Sequence, residues 1–191
     1  MKYTTKEKVE KYLGKTITGD IDNYIEAMSR FMDQACDRVL VVDLTSDVKV
    51  KKYDGNGGTS LLVDDFVALT SLVVDGNTVP EASYVSYPAN EGYSNEIVIT
   101  GGTIFYKQRL GVVLTGHFGR YSSVDGIVTP FDIEHACTVL VTGIIQNSDS
   151  PNGVVKTESI GRYSVSYATD KQARDYDSAM STIDHYRKVG V

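Results

Sequence analysis

Two long amphipathic segments, one on each side of a strand-rich stretch, constrain the fold of this chain more than any other feature. In DIDNYIEAMSRFMDQACDRVL, apolar residues recur at helical spacing over positions 21–39. In VTPFDIEHACTVLVTGIIQN, a second stripe covers positions 133–145, and Thr129 and Pro130 suit the cap and the first position of that helix. Because stripes this wide must be buried, we expect the two helices to pack against each other.

The stretch between these helices has the character of a β domain. Between residues 47 and 118 the chain contains DVKVKKY, LTSLVVDGNTVP, ASYVSYP, NEIVIT, TIFYKQ and GVVLTGHFG, which are runs bounded by Gly, Pro or Asn. The pair Asp75-Gly76 is typical of a tight hairpin turn. Short strands at this spacing, with no helical period between them, predict a small antiparallel sandwich or barrel.

Both ends of the chain also have helical patterns. TTKEKVEKYL predicts a first helix in which Thr4 and Glu7 have capping-box spacing, and Gly14 ends it. Towards the other end, SIGRYSVSYA alternates tyrosine and valine with serine, which predicts a strand or an extended arm. TDKQARDYDSAMSTIDHYRKVGV then predicts a terminal helix, with Thr169 and Gln172 as its capping box.

These elements predict an α+β fold in which a discontinuous helical bundle domain carries an inserted small antiparallel β domain. We place the first part of the helical domain at residues 1–45 and the inserted β domain at 46–126. The second part of the helical domain, with a C-terminal arm and helix, covers 127–191. A chain of 191 residues is long enough to bury a core in each domain.

Charge and composition limit the possible partners. The net charge is -6 and the isoelectric point is near 5.0, whereas a general nucleic-acid binder carries a basic surface. The N-terminus is polar and no apolar run approaches about 20 residues, so we expect neither a signal peptide nor a membrane helix. Cys36 and Cys137 both fall in apolar helical stripes, and we interpret them as reduced core residues of a cytosolic product.

Two short motifs resemble ligand-binding loops, but their context favours ordinary turns. LGKT resembles the end of a phosphate-binding loop, yet Val9 stands where that loop needs a glycine, and a helix precedes it. DGNGG places Asp54 and Asn56 like the start of a calcium loop, but Thr59 replaces its glycine. We interpret LGKT as a helix end and DGNGG as a turn between strands.

No catalytic signature is present in the sequence. His117, His135 and His185 are too far apart for a helical metal pair, and none shares a short motif with cysteine. No nucleophile elbow occurs. We therefore predict that the protein is not an enzyme, with no catalytic residue, no metal and no cofactor.

Two other functions stay open at this point. A ligand- or glycan-binding module would use the tyrosines of the β domain, especially Tyr84, Tyr87 and Tyr93, although the absence of tryptophan argues mildly against it. A small hydrolase would need His117 or His135 beside a carboxylate and a serine.

Four stretches carry a resemblance to a known family: YTTKEKVEKYLG, DIDNYIEAMSRFMDQACDRVL, VLTGHFGRYSSVDGIVTPFDIEHACTVL and ESIGRYSVSYA. In this order the chain resembles the head–tail connector proteins of long-tailed bacteriophages, also called head-completion or adaptor proteins, in their longer form with a β insertion. The most telling part is the link from a strand ending in FG to P-x-D-I-x-x-A at the start of a helix. These are patterns of small and apolar residues rather than catalytic signatures.

The resemblance implies a structural virion protein that forms a ring, usually twelvefold, beneath the portal protein after DNA packaging. Such a ring extends the DNA channel and receives the next tail-side connector or stopper protein, while DNA passes through without being read. The expected location is the head–tail interface of the virion, with the host cytoplasm during assembly, and no membrane is involved.

In related proteins the C-terminal segment reaches towards the portal. That would give GRYSVSYA and the last helix a role, and from their own pattern we predict an interface with the portal or a neighbouring subunit at Tyr163, Tyr167, Tyr176, Met180, Ile183 and Tyr186. The alternative is that these residues pack on their own subunit.

Overall fold

The computed structural model describes residues 1–123, 130–149, 156–160, 163–167 and 170–188, with only the backbone described at 147–149, 156–160, 163–167 and 170–172. The chain divides into two compact units. The helical unit comprises Met1–Asp37 with Val128–Val191, and the β unit comprises Arg38–Ile127. The predicted α+β fold is confirmed. The division into one discontinuous helical domain, 1–45 with 127–191, and an inserted β domain, 46–126, stays a prediction.

The helical unit is built around one buried helix. Its elements are α1 (Lys6–Leu13), α2 (Asp22–Cys36), α3 (Phe131–Asp149) and α4 (Asp170–Tyr186), with a hairpin of two strands, Lys156–Ile160 and Tyr163–Tyr167. All seven residues from 136 to 142 are buried, which is two turns of α3, so neighbours cover α3 on every side. α1, α2 and α4 all pack on α3, which confirms that the two long helices meet.

The cap of α1 differs from the predicted one. Thr5, not Thr4, is the N-cap, and its hydroxyl accepts the backbone N–H of Lys8. Thr4 is buried instead, and its hydroxyl lies 2.7 Å from the hydroxyl of Thr138 on α3. Gly14 ends the helix in the left-handed conformation, as predicted.

α2 is shorter than its sequence pattern predicted. Asp37 adopts a positive φ of 52° and its N–H closes the last turn on the carbonyls of Asp33 and Gln34. The chain beyond belongs to the β unit, where the carbonyl of Val39 accepts the N–H of Arg120. Val39, which continued the helical stripe in the sequence, is therefore a half-buried residue of the β unit.

The β unit contains two antiparallel sheets and a short parallel pair. Its strands are β1 (Val41–Asp43), β2 (Lys49–Tyr53), β3 (Ser60–Phe66), β4 (Ala68–Val74), β5 (Asn77–Val79), β6 (Tyr84–Tyr87), β7 (Ser94–Ile99), β8 (Val112–His117) and β9 (Tyr121–Ser123). The hairpin of the helical unit follows them in chain order as β10 and β11. One sheet has the order β2-β8-β4-β5, the other β3-β7-β6, and β1 pairs with β9 in parallel.

One apolar core joins the two sheets, as a sandwich requires. The strands alternate buried and more exposed residues, most regularly in β8 from Val112 to His117. The core side chains are Leu61, Val63, Phe66, Leu72, Val74, Val79, Ile97, Ile99, Phe105, Val112, Leu114 and Phe118.

Polar contacts connect the strands at the side of the sandwich where β2 and β3 lie. Lys51 forms a 2.7 Å ion pair with Asp64, and the hydroxyl of Tyr53 donates to the same carboxylate at 3.0 Å. Burial raises the pKa of Tyr53, so its hydroxyl stays protonated. Deeper in the unit, Arg38 pairs with Asp65 at 2.9 Å, and only 3% of that aspartate side chain is exposed.

Two predicted turns are present. Asp75 and Gly76, with φ of 50° and 78°, connect β4 to β5, and two positive φ angles are typical of a type I′ hairpin turn. In DGNGG, a Cβ on Gly55 would lie 1.8 Å from the carbonyl oxygen of Tyr106, so only glycine fits there. The amide of Asn56 is engaged with backbone groups of Gly58 and Ser60, and this loop turns the chain.

Adjacent leucines of β3 test this inside–outside assignment. Leu61 is 6% exposed and Leu62 is 59% exposed. We expect Leu61→Ala to lower the free energy of unfolding by about 2–5 kcal/mol, because it leaves a cavity between the sheets. Leu62→Ala, the matched control, should change it by less than about 0.5 kcal/mol. Chemical denaturation measures both, and equal losses would contradict the assigned register.

Candidate functional site

The terminal helix α4 carries four of the six residues predicted to form an interface. Tyr176, Ile183 and Tyr186 are buried, with 5%, 0% and 8% of each exposed, while Met180 is half-buried. α4 packs on α3 and α2 of its own chain. The chain's own helices therefore cover this face of α4, and its role as an interface stays a prediction that requires α4 to leave this position.

The C-terminal end of α4 is fastened to the end of α2. The N–H of Lys188 donates to the carbonyl of Cys36 at 2.9 Å, and the guanidinium of Arg187 donates to the carbonyl of Ala35 at 3.1 Å. The thiol of Cys36 donates in return to the carbonyl of Ile183 at 3.3 Å. The last carbonyls of a helix lack intrahelical donors and carry partial negative charge, so a cation suits this position.

Two tyrosine hydroxyls fasten α4 to other helices through carboxylates. Tyr186 donates to Asp132, in the first turn of α3, at 2.7 Å. Tyr12, near the end of α1, donates to Asp175 at 2.9 Å. Burial and the Asp175 carboxylate raise the pKa of Tyr12 to about 12, so this hydroxyl keeps its proton at physiological pH. α4 is thus held by its own chain towards both ends.

The other two predicted interface residues lie in the hairpin β10–β11. Tyr163 pairs in register with Ile160, and Tyr167 pairs with Lys156. The side chains of both tyrosines lie outside the described residues. The strand predicted from SIGRYSVSYA is present as β11. It packs on α3 and α4 within the helical unit.

The N-terminal segment packs on α2 of its own chain, a contact that the sequence analysis missed. Tyr3 is fully buried, its backbone N–H donates to the hydroxyl of Ser29, and its own hydroxyl donates to Asp33. A lone tyrosine before the first helix gives little signal in the sequence. Its partners lie on α2, more than twenty residues away, and pairing at that distance cannot be read from local patterns.

A groove of about 530 Å³ lies between α1 and α3. Its lining includes Lys8, Lys11 and Tyr12 from α1 with Glu134 and His135 from α3. An ion pair of 2.5 Å between Lys8 and Glu134 closes one side, and the His135 ring lies edge-on to Tyr12 at 5.7 Å. These groups hold two helices together, and the described residues that line the groove include no serine or cysteine beside the histidine.

His117 lies near a carboxylate and a serine, but not in a catalytic arrangement. Asp43 accepts from Thr45 and from the Ser46 hydroxyl at 2.9 Å, and these hydrogen bonds lower its pKa, with a smaller effect from the charge of His117. A nucleophilic serine must donate to the histidine base. Here the serine donates to the carboxylate, and the buried Nδ1 of His117 has no hydrogen-bond partner among the described residues.

The tyrosines of the alternative glycan-binding surface do not share a face. Tyr84 packs against the core of the β unit, and burial raises its pKa. Tyr87 is exposed on the opposite side of the same strand. Tyr93 lies under the guanidinium of Arg120, whose carbon is 4.3 Å from the ring centroid. A stacking platform needs several rings on one surface, and these three do not provide it.

The part of the chain that the structure describes has neither a metal-binding cluster nor a membrane-spanning helix. There, no group of three or more histidine, cysteine, aspartate or glutamate side chains is placed to hold a metal ion. In the same residues, no helix combines the length and the apolar character needed to cross a bilayer.

Comparison with solved structures finds similar proteins, whereas comparison with family models and curated proteins does not. No family model matches the chain, and no curated protein matches it. Among solved structures, it is similar to a chain in the neck of an empty gene transfer agent (GTA) particle computed with C6 symmetry, with 14% identity and a TM-score of 0.60. This match covers 97% of the present chain and 88% of the other.

A second similar chain comes from the virion of a native gene transfer agent particle. The identity is again 14%, the TM-score is 0.55, and the match covers 97% of this chain and 89% of that one. At this level of identity the comparison establishes a shared fold across both units.

Docking of α4 on its own subunit has a direct test. We expect Ile183→Ala to lower the free energy of unfolding by about 2–5 kcal/mol, because the side chain is fully buried. The neighbouring Asp184→Ala should cost less than about 0.5 kcal/mol, since its ion pair with Arg187 is exposed. Denaturant unfolding should give the same result at low and high protein concentration. A loss that appears only at high concentration would mean that α4 packs on another copy.

The two cysteines provide a chemical test of burial. Both are free and buried, and burial raises the pKa of Cys137 to about 12. Only roughly 10⁻⁴ of such a thiol is ionised at pH 8, and the thiolate is the reactive form. We expect a thiol reagent to modify neither cysteine in the folded protein and both in denaturant, as counted by mass spectrometry. Rapid labelling of the native chain would contradict this packing.

Proposed function

We propose that this protein is a head–tail connector: a structural virion protein that forms a ring on the portal, extends the DNA channel and receives the next tail-side component. The observation that carries the proposal is the shared fold with a chain from the neck of a phage-like particle, over 97% of this chain. The similarity includes the β unit and both parts of the helical unit. It agrees with the resemblance carried by the helix-forming stretches of the sequence.

Ring formation requires two different complementary faces on each subunit, because the contacts of a ring are heterologous and must close. A chain with a helical unit and a separate β unit offers chemically distinct surfaces for such contacts. A twelve-membered ring contains a sixfold axis, so the C6 symmetry of the similar neck is compatible with the proposed dodecamer.

DNA passes through the proposed ring without sequence-specific binding. Tight contact with phosphates depends on lysine and arginine, and the chain carries 19 of these against 25 aspartate and glutamate residues. A net charge of -6 disfavours adhesion of DNA to the protein surface. The proposed protein partners are the portal, further copies of the chain and a tail-side connector or stopper protein.

The arrangement of α4 suggests how its docking is regulated. Its buried face is held by apolar packing and by hydrogen bonds near both ends, so α4 exposes that face only after it leaves α2 and α3. We propose that the portal or a neighbouring subunit competes for this face. Because α4 must first leave its position, the affinity of free subunits for one another and for the portal is lowered. Assembly then proceeds in sequence.

No observation favours a catalytic role or a glycan-binding role over this structural one. The tyrosines of the β unit lie on different faces, and Ser46 donates to a carboxylate rather than to a histidine. We therefore propose a non-enzymatic protein located in the virion neck.

The location and the partner are tested together. Antibody–gold labelling of particles should place this chain at the junction of head and tail. Native mass spectrometry of the chain mixed with the portal protein of the same particle should give one copy per portal subunit, and a portal from an unrelated phage is the control. Label on the capsid surface or the tail tip, or equal binding to both portals, would contradict the proposal.

A further inference from the structure

The two outer faces of the β sandwich carry complementary patterns of apolar and charged side chains. Residues paired across antiparallel strands point to the same side of a sheet, so the register gives the members of each face. On the four-stranded sheet, one cross-strand row and part of the next form what we call the valine face: Lys52, Val113, Val73 and Thr78, with Val50, Thr115 and Ser71. On the three-stranded sheet, two rows form the leucine face: Leu62, Glu96 and Tyr87, with Ser60, Val98 and Val85.

Both faces expose apolar side chains that the chain itself leaves uncovered. Val50 is 61% exposed on the valine face. On the leucine face, Leu62 is 59%, Tyr87 45% and Val85 40% exposed. The opposite sides of the same strands supply the core of the sandwich, so these residues are not needed to fill it. Single exposed apolar residues are ordinary, but contiguous rows of them mark interaction surfaces.

The charges on the two faces have opposite signs. Lys52 lies on β2, the edge strand of the valine face, is exposed, and forms no ion pair with another described residue. Glu96 lies in the middle strand of the leucine face, where the hydroxyl of Ser60 donates to it and no described cation pairs with it. Asp54 and Asp75, which follow β2 and β4 in the sequence, lie in the turns beyond these strands.

We propose that the valine face of one copy packs on the leucine face of the next copy in the ring. This rests on the proposed function, because a ring supplies a neighbour on each side. Contact between unlike faces places Lys52 against Glu96 and buries Val50 and Leu62. Contact between two leucine faces would bring together the glutamates of their middle strands, whereas the unlike contact pairs lysine with glutamate, so the charges favour the heterologous arrangement that a closed ring needs.

The size of the faces sets the strength of this contact. Three strands about 4.8 Å apart, followed for four residues of about 3.3 Å, cover roughly 200 Å². A stable interface buries about 800 Å² on each partner. The sheet contact is therefore a part of the ring interface that aligns neighbouring subunits, and it does not hold free subunits together alone.

Cross-linking between marked copies tests the contact even when it is weak. Val50→Cys is introduced into a tagged chain and Leu62→Cys into an untagged one, and a bismaleimide spanning about 10 Å, the spacing of packed sheets, is added to the mixture. The native cysteines are buried. Three cross-linked dimers can form: 50 with 62, 50 with 50, and 62 with 62. We expect the 50–62 dimer to form a larger fraction of the total than random collision gives. This excess should appear in the free chain or in the chain assembled on the portal. Random shares in both samples would overturn the proposal.

A charge exchange between the faces tests its electrostatic basis. Lys52→Glu in the tagged chain alone should reduce the mixed product to its random share, because it places glutamate against glutamate. Adding Glu96→Lys to the untagged chain should restore the excess. Both substitutions lie on exposed or half-exposed strand positions, and unchanged circular dichroism verifies folding. Failure of the second substitution to restore the excess would overturn the assigned pairing.

These outcomes are separable from the test of the connector function. Random cross-linking in a chain that still binds the portal one to one would reject the sheet contact and leave the connector proposal standing. An excess of the mixed product without portal binding would retain the sheet contact as a self-assembly surface and reject the connector proposal.

Discussion

The burial of α3 is the constraint on which the helical unit depends. Two consecutive turns of this helix are covered on every side, and no single neighbouring helix can cover an entire circumference. α1 and α2 come from the beginning of the chain and α4 from the segment after α3. Since both flanks of the sequence are needed around one helix, the strand-rich stretch between them has to leave the helical unit and return to it. The discontinuous arrangement is a direct consequence of this burial.

Periodicity made the main elements predictable, whereas local backbone choices and long-range pairs were not. The alternation of strands such as β8 states which face is buried, and the structure agrees with it. The apolar stripe of α3 predicted a helix, but Thr138, Val139 and Thr142, which lie outside the stripe, are buried as well. The end of α2 was predicted too late, because a positive φ at Asp37 stops a helix whose apolar pattern continues. Strand β10 was missed, since KTESI has little β character until it pairs with β11. Contacts such as Tyr12 with Asp175 join residues 163 positions apart, and no local signal announces them.

The fold is retained at 14% identity, where no family model and no curated protein matches the sequence. Only 14% of aligned residues are shared with the two particle chains, yet the match extends over nearly the whole chain. Packing of a core requires apolar side chains of suitable volume at the buried positions of each helix or strand. It tolerates exchange of one apolar residue for another, so the apolar pattern is retained while individual residues change. A structural role makes the same demand, because it needs surfaces of a given shape and charge rather than a fixed set of reacting groups.

The hydrogen bonds from Arg187 and Lys188 to the end of α2 also affect the order in which parts of the chain can fold during synthesis. The last carbonyls of α2 emerge from the ribosome roughly 150 residues ahead of Arg187 and Lys188, whose N–H groups donate to them. The β unit is a continuous segment, so all of its strands are synthesised before α3. Domains with continuous sequence are free to fold as they emerge. The part of the helical unit that precedes the β unit in the chain is therefore completed only after α4 has been made, and its apolar stripe stays exposed while the β unit folds.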